Sequence, residues 1–261
     1  LDYFNRNIIN IEKIVWNLKE IEIYSDNLGQ ESLVDFKNNS KNLFAILKNF
    51  KLYELLEKNL SKNKYFKKVY INKNISTFKK YNLVINTDYK NPITKKYFSK
   101  KIIKKYNSCA YTTTINHENI SNDVAVQIFT KKGPLAFLPI SNNKTSIVYS
   151  IHNSKSNEKK NINELIKNYN FKYKIKKINK IENFDLKSFT LRKYYHKNIL
   201  AFGDLLHRIH PLAGQGFNMT IRDISVLLRL IKFKKSHGLD LDNSICSAFE
   251  KETKHKNYLF S

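Results

Sequence analysis

The sequence predicts a mixed α/β fold, and three observations lead there. Residues 198–204 (NILAFGD) read as a buried strand that runs into Gly203-Asp204, a glycine loop and an amphipathic helix. Residues 83–88 (LVINTD) read as a second short apolar strand ending on an acid, the kind found inside parallel sheets. Between them, β-branched and aromatic segments separated by polar turns predict an antiparallel sheet with one covered face.

Taken in order, residues 19–36 predict a hairpin: alternation in IEIYS, a turn at Asp26-Asn27-Leu28-Gly29, then LVDF. A helix is expected next, because Leu43, Phe44, Ile46, Leu47, Phe50, Leu52, Leu55, Leu56 and Leu60 recur at near-helical spacing. The strand LVINTD follows, and it reads as buried on two faces. The sheet comprises YTTTINH (111–117), DVAVQIF (123–129), LAFLPI (135–140) and TSIVYSI (145–151). Residues 155–185 are rich in Lys and Asn, with one weak helix at 162–169. After NILAFGD, a helix is expected from Phe217 to Phe233, with Ile221, Ile224, Leu227, Leu228 and Ile231 on its apolar face.

The net charge of +25 raises nucleic acid and anionic membranes as partners. Lysine, however, accumulates along the whole chain beside Asn, Ile, Tyr and Phe, while the chain holds only 6 Gly, 4 Pro and 1 Trp. That is the imprint of an A/T-rich coding sequence, and no groove-reading element accompanies it. Nucleic acid is therefore not expected as a partner. Some lysines are expected to serve at an anionic membrane surface. Cys109 and Cys246 stand far apart, which points to reduced thiols without a disulfide framework or a metal site. No apolar run approaches the roughly 20 residues needed to span a bilayer. The N-terminus, which begins at Leu1, lacks a secretory signal pattern.

The most specific stretch is GDLLHRIHPLAGQGFNMTIRD (203–223). Asp204 sits at the carboxyl end of a strand, where α/β folds place ligand-binding groups, and its carboxylate can accept hydrogen bonds from sugar-like hydroxyls. Gly214 and Gly216 allow backbone to approach a flat ligand closely. The helix that follows presents unpaired N–H donors and a partial positive charge. His207 and His210 lack a third ligand nearby, so no metal is expected. No Ser/His/Asp grouping forms a nucleophile elbow, and no side chain is assigned as acid, base or nucleophile.

This string resembles the GD-x-x-H-x-x-HPLAGQG-x-N-x-x-x-RD signature of the ubiquinone-biosynthesis hydroxylases, within the class A flavoprotein monooxygenases related to p-hydroxybenzoate hydroxylase. Gly203, Asp204, His207, His210, Pro211, Leu212, Ala213, Gly214, Gln215, Gly216, Asn218, Arg222 and Asp223 match it position by position. The resemblance implies that Asp204 binds the ribityl chain of FAD. It further implies that Pro211, Ala213, Gly214, Gln215 and Gly216, with Phe217 and Asn218 beyond them, border the isoalloxazine ring. Leu205 and Leu206 stand where the family has two alanines, bulk that would press on the ribityl chain or loosen the turn. Residues 125–140 resemble the family's substrate sheet, sharing Gln127, Phe129, Gly133, Pro134 and a Leu-Pro pair. Residues 14–27 resemble its first substrate-domain strand. LVINTDYKNPITKKYF (83–98) aligns with the second cofactor motif and retains Asp88, but Tyr89, Pro92 and Lys95 replace the usual Gly, Ser and Arg.

What the resemblance implies for the fold is a discontinuous, N-terminally incomplete, Rossmann-like FAD domain (37–105 and 191–261) and a mixed-sheet substrate domain (1–36 and 106–190). For function it implies hydroxylation of the ring of a polyprenylated phenol with NAD(P)H and O2, in the cytoplasm or peripherally at the inner face of a membrane, alone or within a ubiquinone-biosynthesis complex. The family's G-x-G-x-x-G strand–loop–helix is not among these 261 residues, whose six glycines lie elsewhere. Either coding sequence upstream of Leu1 or another chain is expected to supply it, and without it FAD should bind poorly. Two further readings stay open: a cofactor-poor remnant or accessory subunit of such a hydroxylase, and a basic module for membrane or nucleic acid.

Overall fold

Residues 2–26, 32–37, 43–69, 80–152, 161–209 and 215–259 are described by the structure, a computed structural model. In chain order the elements are α1 (Asp2–Asn7), β1 (Val15–Leu18), β2 (Glu20–Ser25), β3 (Ser32–Lys37), β4 (Phe44–Leu47), α2 (Asn49–Leu60), β5 (Val84–Asn86), α3 (Pro92–Tyr97) and β6 (Lys101–His117). There follow β7 (Val124–Thr130), β8 (Gly133–Ser141), β9 (Lys144–His152), α4 (Ile162–Tyr169), β10 (Ile175–Ile178), β11 (Glu182–Leu191), β12 (Tyr195–His196), β13 (Ile199–Ala201), β14 (His207–Arg208), α5 (Gln215–Ser236) and α6 (Asn243–Leu259). They fall into two compact units, one of residues 1–68 and 107–185, the other of 69–106 and 186–261.

In the first unit the strands run in the order β6-β9-β8-β7-β2-β3, with β10 also paired to β6. Neighbours are antiparallel except β2 and β7, which are parallel with Ile21 opposite Ala125. Alternation along β6 to β9 sends Cys109, Tyr111, Ile115, Val126, Ile128, Leu135, Phe137, Ile147, Tyr149 and Ile151 to one face, where α4 covers them with Ile162 and Ile166. The β7–β8 turn depends on Gly133, whose φ is +143° and whose added Cβ would lie 2.1 Å from the Ser150 carbonyl oxygen. The predicted 19–36 hairpin is β2–β3, with Ile23 opposite Val34; its turn residues 27–29 lie outside the described residues.

Two expectations for this part of the chain need correction. Residues 44–47 are not the start of a helix but β4, paired antiparallel with β1 so that Phe44 faces Leu18 and Leu47 faces Val15. The helix begins only at Asn49. The apolar run FAIL satisfies either period, and its strand partner decided. The same pairing ties residues 44–68 to the first unit, so the compact units divide at 68/69 and not at 36/37.

The second unit holds the three-stranded sheet β12-β13-β5, with β13 and β5 parallel, and the antiparallel pair β11–β14. Ile199, Leu200, Ala201 and Phe202 are buried as NILAF predicts, against Val226 and Leu227 of α5 and Ile245, Cys246 and Phe249 of α6. LVINTD, in contrast, is not buried on both faces. Among the described residues β5 has a strand partner on one side only, and Ile85 is 48% exposed. The buried face of α5 also differs from the expected stripe. Met219, Asp223, Val226 and Leu227 are its buried residues, so the face is rotated to include a carboxylate. Helix α6, which no sequence pattern announced, supplies Ile245, Cys246 and Phe249 to this core.

Candidate cofactor site

The parallel pairing of β5 and β13 is what assembles the site. Val84 lies opposite Ile199, Ile85 opposite Leu200 and Asn86 opposite Ala201. Both strands therefore end at the same edge, and each motif acid follows its strand there: Asp88 after β5, Gly203-Asp204 after β13. The carboxyl ends of parallel strands are where open α/β sheets bind ligands.

Gly203 has φ of +61°, a left-handed conformation that turns the chain sharply out of β13 into a short 3-10 turn. Nothing crowds its missing side chain, so backbone conformation alone asks for glycine there. The turn splits its side chains. Leu205 and Leu206 are fully buried in the core, while Asp204 between buried neighbours is exposed. The two leucines therefore direct their bulk into the core, while Asp204 stands exposed.

The Asp88 turn is tied down by amides. The Asn86 side chain is buried and donates to Thr94 Oγ1 at 2.8 Å, while Asn91 Nδ2 donates to Asn86 Oδ1 at 2.7 Å. Asn91 also caps α3, accepting from the Thr94 N–H at 2.8 Å, and Thr94 Oγ1 donates to the Asp88 carbonyl at 2.6 Å. One Asp88 carboxylate oxygen accepts from the Lys90 N–H at 2.8 Å. Asn86, Asn91 and Thr94 were not singled out in the sequence. The Asn-Pro dipeptide at 91–92 was the signal available for this cap.

Helix α5 opens with Gln215, Gly216, Phe217 and Asn218, and carries no acid in its first turn to neutralise its positive end. Gln215, Phe217 and Asn218 are exposed. Pro211, Ala213 and Gly214 lie outside the described residues, as does His210. His207 Nε2 donates to Asp223 Oδ2 at 2.6 Å, with both side chains buried. The bond joins β14 to α5 on either side of the 210–214 segment. Arg222, next along α5, donates to Asn257 of α6 and lies 3.9 Å from the second Asp223 oxygen. Neither His207 nor Asp223 was given a role by sequence, because the partners stand sixteen positions apart in the chain.

A family description, the FAD binding domain, matches residues 102–237, just over half of the chain. This chain belongs to that family. FAD is the family's cofactor, and the donor set fits it. An exposed carboxylate at a strand end suits the hydroxyls of a ribityl chain, and a helix start without acids suits an electron-rich ring edge.

Among its relatives are a 3-demethoxyubiquinol 3-hydroxylase of Escherichia coli, 29% identical over 140 residues, and the mitochondrial ubiquinone biosynthesis monooxygenase COQ6 of mouse, 27% identical over 195 residues. The alignments take in 51% and 59% of this chain, and only 36% and 41% of those two proteins. Among solved structures, PqsL of Pseudomonas aeruginosa, a probable FAD-dependent monooxygenase, superposes with a TM-score of 0.70 at 14% identity, over 95% of this chain and 76% of its own. A p-nitrophenol 4-monooxygenase of Pseudomonas putida does so with 0.70 at 10% identity, over 95% and 71%. The fold of this FAD binding domain chain is thus that of the FAD-dependent monooxygenases, and the suspected kinship with the ubiquinone hydroxylases holds.

Proposed function

We propose that this chain is the greater part of an FAD-dependent hydroxylase acting on the aromatic ring of a polyprenylated phenol, with NAD(P)H as reductant and O2 as oxygen donor. The observation that carries the reading is the parallel β5–β13 register, which delivers Asp88 and Asp204 to one sheet edge. In this reading Asp204 accepts hydrogen bonds from the ribityl hydroxyls. The first turn of α5, with Gln215, Gly216, Phe217 and Asn218, borders the ring, together with Pro211, Ala213 and Gly214. The peptide N–H groups of that turn and its partial positive charge stabilise negative charge on the reduced ring. When bound, FAD supplies the two-electron redox chemistry that couples nicotinamide oxidation to O2 activation. The protein's part is to orient the ring and exclude water. In this reading the unit of residues 69–106 and 186–261 serves the cofactor and that of 1–68 and 107–185 the substrate. A membrane-borne prenylated substrate would place the protein peripherally at the inner face of a membrane, in the cytoplasm, alone or in a complex of ubiquinone-biosynthesis enzymes.

A second reading is a cofactor-poor accessory subunit of a complete hydroxylase. One observation favours it: Tyr89, Pro92 and Lys95 replace the Gly, Ser and Arg of the second motif. One experiment separates the two. The chain, together with whatever coding sequence precedes Leu1, is purified and assayed for bound FAD and for 18O transfer from labelled O2 into a prenylated phenol. Label in the ring supports the hydroxylase. A flavin-free preparation that raises the activity of a separate hydroxylase supports the accessory role.

A further inference from the structure

Helix α2 and the segment after it form an apolar and cationic surface that neither cofactor nor core accounts for. On a helical wheel Leu52, Leu55 and Leu56 share one side, and Leu52 is the buried residue of this helix. Phe50, Tyr53, Glu57 and Leu60 share the opposite side. There Phe50 is 58% and Tyr53 60% exposed, with Leu60 exposed as well. The chain beyond the helix adds Tyr65, 86% exposed, with Phe66 and Val69. A solvated helix face does not ordinarily carry so many large apolar side chains together.

The charges around this face are mostly positive. Residues 48–69 hold seven lysines and two glutamates. Glu57, the acid on the apolar side, is ion-paired with Lys68, which neutralises it. Lys64 lies over the Tyr65 ring, 5.0 Å from its centroid. Exposed aromatics ringed by lysines suit the interface of a bilayer, where rings sit at the headgroup level and ammonium groups reach the phosphates.

We propose that α2 and residues 61–69 are a membrane-docking surface that binds anionic phospholipid, with Phe50, Tyr53, Leu60, Tyr65 and Phe66 entering the interface and the lysines pairing with headgroups. Charge complementarity selects this occupant. A second copy of the chain docked face to face would set one lysine cluster against its twin. Bare nucleic acid would leave the apolar side chains unused. The inference stands on this surface alone, apart from the flavin site.

The test is sedimentation of the full 261-residue chain with vesicles of equal parts phosphatidylcholine and phosphatidylglycerol, and with phosphatidylcholine alone, at low and high salt. Each lysine near such a surface contributes roughly fivefold in affinity. Lys62→Glu/Lys64→Glu/Lys67→Glu should therefore weaken binding to the anionic vesicles by about 100-fold or more. Lys176→Glu/Lys177→Glu/Lys180→Glu makes the same change of net charge on exposed positions elsewhere and should alter it by less than about threefold. Phe50→Ser/Tyr53→Ser should also weaken binding, and Tyr65→Trp should shift its emission to the blue with anionic vesicles. All the substituted side chains are exposed, and unchanged melting curves would show that the variants fold. Equal losses from the two lysine triples would overturn the proposal in favour of the global charge. Unchanged binding in Phe50→Ser/Tyr53→Ser would overturn insertion, and concentration-dependent self-association abolished by that variant would assign the face to a second copy. Flavin content is unmoved by any of these outcomes.

Discussion

At the scale of single residues, Asp204 is exposed while its neighbours are buried, so its substitution tests ligand contact with little effect on packing. A charge-assisted hydrogen bond lost in Asp204→Ala should cost about 1.5–3 kcal/mol, roughly 10- to 150-fold in FAD affinity. Flavin retained undiminished through purification would remove the role given to it. The His207–Asp223 pair makes the opposite prediction, because both side chains are buried. Asp223→Leu strands a buried imidazole and should destabilise by about 3–5 kcal/mol. His207→Leu/Asp223→Leu should recover much of that, as read in urea unfolding. Cys246 gives a pH dependence. Burial pushes its thiol up from 9.0 to about 11, so the folded state holds the proton more tightly than the unfolded one. Its contribution to stability is whole below about pH 9 and is lost as pH rises through about 11. Alkylation of Cys246 in the folded protein should stay slow at mildly alkaline pH and become fast only on unfolding.

At the scale of elements, the β7–β8 turn is set by Gly133. Alanine there would combine a left-handed φ with a 2.1 Å approach to a carbonyl oxygen, so backbone must shift. Gly133→Ala is expected to destabilise by on the order of 3 kcal/mol, measured by thermal or urea unfolding. Gly203→Ala should be milder, about 1–2 kcal/mol, since its strain is conformational and the space is open. The wheel of α5 shows how an element's face is chosen. Sequence assigns the apolar stripe to Ile221, Ile224, Leu227, Leu228 and Ile231, yet the buried side includes Asp223, one of whose carboxylate oxygens accepts from the buried His207 imidazole.

For the whole molecule, the sheet around β13 bears on cofactor retention. β5 presents an edge among the described residues, with Ile85 half in solvent, and the 261 residues contain no glycine-rich phosphate loop. The chain expressed by itself is expected to aggregate readily and to carry little flavin. Adding a G-x-G-x-x-G strand–loop–helix unit, in cis or as a separate chain, should raise both yellow colour and melting temperature. A stable monomer with stoichiometric FAD from the 261 residues alone would refute this account.

Local signals in the sequence determined a good deal. The hairpin at 19–36, the strands of the antiparallel sheet, helix α4, the strand NILAF and the start of α5 were all legible, since each rests on the chemistry of adjacent residues: alternation, a turn, a period. The cofactor motif was legible for the same reason, as one contiguous string from Gly203 to Asp223. Pairings between distant segments were decided only by the tertiary structure. Residues 44–47 became a strand because β1 lay free to pair, and LVINTD lost burial on one face because only β13 flanks it among the described residues. Leu205 and Leu206 turned inward because a core waited under the Gly203 turn, and α6 closed that core with Ile245, Cys246 and Phe249 from a segment whose pattern announced nothing. Short apolar segments are compatible with several structures, and their free energy is settled by which surface they meet, a quantity that no window of neighbouring residues contains.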